Sequence, residues 1–267
     1  VSATGPGPSR PRLYAHRGAA AEAPENTLDS FARALAHGAD ALEMDVHLTR
    51  DGVVVVSHDP GGARMCGVAR RFADANWDEV RRWDAGWGFL APDGSRPFAG
   101  RGLRVPRLEE VLAAFPHVPL NLDLKTHTPS MPPVAVAVLR RARAEERVCL
   151  ASFSSTTLGR VRALGWRGPL SLGSREVATL LAIPRALQRG PLRPRATRAQ
   201  LPTRLGRSWV IERCRALGLA VDYWTVNDPA EAARLVALGV DGIMTDDPAR
   251  IAPVVKAGEG RRGSAGS

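Results

Sequence analysis

Cysteine, lysine and long apolar runs are scarce in this 267-residue chain. Each scarcity excludes something. The three cysteines, Cys66, Cys149 and Cys214, form neither a close pair nor a zinc-ligand spacing. Buried thiols in a reducing cytoplasm are therefore expected, not a disulfide framework or a zinc ribbon. No apolar run approaches the roughly 20 residues that cross a bilayer. The opening VSATGPGPSRPR lacks the apolar core of a signal peptide, so residues 1–10 read as a flexible lead-in. The stretch 257–267, which ends in GEGRRGSAGS, reads as a disordered tail. Only Lys125 and Lys256 are lysines among 37 basic residues, so arginine is the default cation. The formal charge of +10 suits anionic partners. No recognition motif or aromatic interleaving accompanies it, and no nucleic-acid partner is expected.

What is present alternates. Short strand-like runs and helical patterns follow one another from end to end, with turn residues between, as in a parallel α/β barrel. A barrel is also the commonest way to use about 250 residues as one domain. The expected fold is a (β/α)8 TIM-type barrel over 11–256, with a small insertion near 60–106 where the rhythm breaks. Strands are expected at 12–15, 41–46, 119–125, 147–152, 168–172, 219–225 and 240–245, with an extended run at 53–57. Asn26-Thr27 is typed to start a helix through Ala36, with Asn26 as its N-cap. Between 172 and 207 the pattern is hard to read.

The polar residues at strand ends carry the chemistry. Glu43 and Asp45 are two apart, so on a strand they share a face, with Met44 turned the other way. Asn121, Asp123 and Lys125 repeat the device between leucines. His16 and His58 each close a strand-like run beside a charged neighbour, Arg17 and Asp59. Three carboxylates on one face would repel one another without a cation, and all-oxygen ligation suits Mg²⁺ or Ca²⁺. Two histidines can exchange protons near neutrality. Arg17 and Lys125 can neutralise an anion, and a compact ammonium at Lys125 stands out against the arginine background. These types together read as metal-assisted cleavage of a phosphate ester. His47 continues the Glu43–Asp45 face and could line the mouth.

At this point the chain resembles a known family. The run AHRGAAAEAPENTLDSFARALAHGADALEMDVHLTRDGVVVVSHDP is similar to the opening of glycerophosphodiester phosphodiesterases. VPRLEEVLAAFPHVPLNLDLK, YWTVND and GVDGIMTDDP are further echoes, and together they span roughly residues 12 to 250. The resemblance implies hydrolysis of glycerophosphodiesters to glycerol 3-phosphate and an alcohol. It places the catalytic histidines on His16 and His58 and one divalent cation on Glu43, Asp45 and Asp123. The family's third ligand is more often Glu, and Asp123 is shorter by a methylene. Arg17 and Lys125 would bind phosphate, Trp224 would wall the glycerol moiety with Asn227 nearby, and Phe153 is a weaker wall candidate. Glu25 borders the family's site and could hold a ligand or a histidine. Asp241, Thr245, Asp246 and Asp247 read as structural.

Rival readings are a lysophospholipase D or cyclising phospholipase, which an apolar groove in the insertion would favour, and a non-catalytic lipid- or metabolite-binding barrel. The nucleophile is open between water and the substrate's own glycerol hydroxyl. A cytoplasmic location is expected. The seven arginines between Pro184 and Arg207 add a second expectation, weak peripheral contact with anionic membranes at the inner face.

Overall fold

A computed structural model describes residues 10–184 and 194–258. The expected lead-in up to residue 9 and the tail from 259 lie outside the described residues. So do Arg185, Arg189 and Arg193.

The strands are β1 (Arg12–His16), β2 (Ala41–Leu48), β3 (Val54–Val56), β4 (Leu120–Leu124), β5 (Val148–Ala151), β6 (Arg198–Pro202), β7 (Ala220–Trp224) and β8 (Gly242–Thr245). All but β3 run parallel, in the order β5-β4-β2-β1-β8-β7-β6. Leu170 bridges Leu150 of β5 and Ser171 bridges Arg198 of β6, both in parallel. Residues 170–171 are thus the last stave, and the sheet closes into the expected barrel. β3 is no stave; it folds back antiparallel on β2.

Outside the barrel lie α1 (Leu28–Ala36), α4 (Leu108–Ala114), α5 (Met131–Arg141), α6 (Ser155–Ala163), α7 (Ser174–Ala182), α8 (Ser208–Ala216), α9 (Pro229–Ala237) and α10 (Pro248–Ala257). Strand alternation decides which residues meet them. Leu42, Met44, Val46, Leu120, Leu122 and Leu124 form one core with Phe31, Leu108 and Leu139 of the helices. Leu201, Val221 and Ile243 form a second with Val210, Leu235 and Ile251. Truncating a residue such as Leu122, which is fully buried, would cost about 2–5 kcal/mol. The intervening residues Glu43, Asp45, Asn121 and Asp123 take the opposite face, which in a closed barrel is the interior.

The 60–106 region holds two short helices, α2 (Ala63–Cys66) and α3 (Trp77–Val80). It has its own core of Phe72, Val80, Trp83 and Val105 against Val55 of β3.

Two sequence expectations are corrected. Asn26 does not cap α1; Thr27 does, accepting from the Ser30 amide. Asn26 instead has a left-handed backbone, φ 58°, and donates its side-chain amide to Asp45 Oδ2 at 3.2 Å. The hard-to-read stretch contains both α7 and β6. Nor do its arginines share one outward face. Arg198 points into the barrel, where its guanidinium Nε meets the fully buried Asp222 at 2.6 Å. An ion pair suits that interior only because both charges are matched there.

Candidate active site

The C-terminal strand ends open on a cavity of about 410 Å³, the face that carries active sites in this architecture. His16, Arg17, Glu43, Asp45, His58, Asp123, Lys125 and Trp224 all line it. Strand register explains the gathering. His16 stands beside Glu43, Glu43 beside Asn121 and Asp45 beside Asp123 on adjacent parallel strands. The turn after His16 depends on Gly18: its φ is 91°, and a Cβ there would collide with Ser30. His58 arrives by the β2–β3 hairpin, with the Ser57 amide bonded to the Asp45 carbonyl at 2.9 Å.

Each histidine is held by a carboxylate. His16 Nδ1 donates to Asp246 Oδ1 at 2.7 Å, and His58 Nδ1 donates to Asp59 Oδ1 at 2.8 Å. That fixes the ring and leaves Nε2 for the cavity. Burial disfavours charge on His16, but Glu43 and the Asp246 hydrogen bond outweigh it and raise its pKa. Asp246 is correspondingly kept ionised: burial opposes this, and the His16 hydrogen bond overrides it. Asp59 is held at about 2, with Arg64 and His58 overcoming its partial burial. Arg64 also spans to Glu25 at 2.7 Å, and Glu25 reaches Arg17 at 3.3 Å. So Glu25 braces two cations of the site. His47 is a support, not a wall. Its Nε2 donates to the His58 carbonyl at 3.0 Å, and burial lowers its pKa, keeping the ring neutral.

The carboxylates carry a mixed electrostatic balance. Lys125 Nζ sits 3.1 Å from Asp45 Oδ1 and 2.8 Å from Asp123 Oδ2. Arg17 Nε lies 3.3 Å from Asp45 Oδ2. Burial pushes Asp45 towards protonation, but Lys125 and Arg17 prevail and keep it ionised. Glu43 has less relief: burial and then the Asp45 charge lift its carboxyl well above the usual range. Burial also raises Asp123, whose Oδ1 is buried with no hydrogen-bond partner among the described residues.

Among the described residues no three His, Cys, Asp or Glu side chains are preassembled around one metal position. The donor chemistry nevertheless fits a hard cation. An orphaned buried carboxylate oxygen and a buried Glu crowded by Asp45 are both groups that a divalent ion would satisfy.

Asn227 is absent from the cavity lining. It donates to Asp246 Oδ2 at 2.7 Å and accepts from the Thr245 hydroxyl at 3.0 Å. Its amide therefore sits one step behind His16, as a brace for Asp246. Asp246 is the chief residue that the sequence reading missed. The signal was the pair Asp246-Asp247: Asp247 caps α10 by accepting from the Arg250 amide, which leaves its neighbour for the site. Trp224 and Phe153 meet edge to face, ring centroids 5.8 Å apart. The opposite wall comes from 171–177 and 200–205, again unforeseen. No helix among the described residues is long and apolar enough to cross a membrane.

The chain is similar to known proteins in sequence and in fold. "Probable glycerophosphodiester phosphodiesterase 2" of Mycobacterium tuberculosis is 32% identical over 234 residues, covering 80% of this chain and 79% of that protein. A lysophospholipase D of Homo sapiens is 32% identical over 61% of this chain, which spans about half, 51%, of that relative's length. The crystal structure of a glycerophosphodiester phosphodiesterase from Agrobacterium tumefaciens superimposes with a TM-score of 0.76 at 25% identity, over 91% of this chain and 98% of that one. The glycerophosphoryl diester phosphodiesterase family model matches residues 16–250. With most of the chain inside that match, the protein belongs to the glycerophosphoryl diester phosphodiesterase family.

Proposed function

We propose that this cavity hydrolyses glycerophosphodiesters to glycerol 3-phosphate and an alcohol. The observation that carries the reading is the pair of carboxylate-anchored histidines, His16–Asp246 and His58–Asp59, opening on one cavity with Arg17 and Lys125. One Nε2 takes the proton of the attacking hydroxyl. The other gives a proton to the departing alcohol oxygen as its bond to phosphorus breaks. Arg17 and Lys125 face the phosphoryl oxygens and stabilise the charge that builds there. Glu43, Asp45 and Asp123 would hold one divalent cation, Mg²⁺ or Ca²⁺. When bound, such an ion polarises a phosphoryl oxygen and offsets its charge. Lys125, which bridges Asp45 and Asp123, would share those carboxylates with the cation. Trp224 walls the glycerol moiety.

A lipid reading has support of two kinds. Leu172, Val177 and Leu205 make the opposite wall partly apolar, and several relatives are named lysophospholipase D. No residue of 60–106 lines the cavity, so its apolar surface comes from the opposite wall and not from the insertion. Peripheral membrane contact would rest on Arg195 and Arg207 among the described residues, since Arg198 is inside the barrel and Arg204 borders the cavity.

The test is a product assay over glycerophosphoethanolamine, glycerophosphoglycerol and lysophosphatidylcholine, with chelator and with added Mg²⁺ or Ca²⁺. Glycerol 3-phosphate from the first two, abolished by chelation and restored by metal, is the expected result. Turnover confined to lysophosphatidylcholine would replace it with the lipid reading. Full turnover in excess chelator would remove the cation.

A further inference from the structure

The cavity wall away from the carboxylates is built from the most one-sided part of the sequence. Between Glu176 and Glu212 there are seven arginines and no acidic residue. Glu176 itself is committed, with Oε1 on Arg162 at 2.7 Å and Oε2 accepting from the Gly173 amide at 2.8 Å. The other cations that line the cavity are tied to acids: Arg17 to Glu25 and Asp45, Lys125 to Asp45 and Asp123. Arg204 differs. It lines the cavity from an exposed position, and its guanidinium has no hydrogen bond or ion pair among the described residues.

This wall has consequences for the substrate. A head group ending in ammonium would meet an uncompensated positive charge there and no carboxylate. The aromatic pair is a weak substitute, because Phe153 already faces Lys125 Nζ at 5.5 Å. A ring that already faces one cation is a poor site for a second. An anionic group, in contrast, finds a five-donor fork with no competing acid.

We infer that the alcohol half of the preferred diester carries a negative charge of its own, a carboxylate or a second phosphate, which pairs with Arg204. The inference rests on the phosphodiesterase reading above.

Glycerophosphoserine and glycerophosphoethanolamine provide the test, because they differ by one carboxylate. At low salt the wild-type protein should favour glycerophosphoserine in kcat/KM by about fivefold, the upper range for a solvent-exposed ion pair. The preference should shrink as salt rises. Arg204→Gln should bring the ratio near one, and Arg204→Glu should take it below one. A wild-type ratio at or below one overturns the inference and needs no variant. So does a preference that survives in Arg204→Gln. If neither diester is hydrolysed with metal present, the phosphodiesterase reading falls and takes this inference with it. A ratio of one with normal hydrolysis removes the inference alone.

Discussion

The two walls of the cavity are built on opposite plans. On the wall made by β1, β2 and β4, charged groups support one another: Lys125 bridges Asp45 and Asp123, Asn26 holds Asp45, and Asp246 and Asp59 hold the histidines. On the wall made by 171–177 and 200–205, leucines and serines surround a cation with no described partner, Arg204. Under the proposed function the difference separates two tasks. Reacting groups must be held within a fraction of an ångström, so their supports are numerous and specific. A surface that chooses among substrates needs only shape and a sign of charge.

Substitutions on the two walls should differ in their effects. The largest effect should come from the histidines. His16→Ala or His58→Ala should each lower kcat by about two orders of magnitude or more, as loss of a positioned acid or base does. If either variant keeps more than a tenth of the wild-type rate, that histidine does not transfer the proton. Asp246→Asn should follow, with kcat reduced at least about tenfold, because an amide no longer fixes the ring and its proton as a carboxylate does. KM should change much less, and that split distinguishes positioning from a general loss of structure. Arg64→Gln should cost less again, roughly severalfold in kcat, since Asp59 keeps its adjacent histidine. Last, Ser174→Ala on the opposite wall should change kcat by less than about twofold. A larger loss there would show that the reacting groups extend across the cavity.

Legibility in the sequence follows the same division. Glu43 and Asp45, and Asn121 and Asp123, were readable because strand alternation places polar residues inward between leucines that face helices. The same periodicity hid β6. Its inward residues Arg198 and Gln200 pair with Asp222 and Asn121, and Pro202 ends it, so only Ala199 and Leu201 give an apolar signal. α7 was obscure because Leu180 alone is buried. Asp246 escaped for a different reason. Its partner His16 is 230 residues away, and no local pattern separates a capping aspartate from the neighbour that turns into a site. Asn227 was placed in the right region but one layer too far forward, since its amide satisfies Asp246.

The central claim is that a water-derived oxygen ends on phosphorus while the alcohol leaves. Hydrolysis of glycerophosphoglycerol in water enriched in heavy oxygen, with Mg²⁺ or Ca²⁺ present, tests it most directly. Mass spectrometry should find the label in the phosphoryl group of glycerol 3-phosphate and none in the released alcohol, by either the direct or the cyclic route. Label in the alcohol, or no glycerol 3-phosphate at all, would contradict the account.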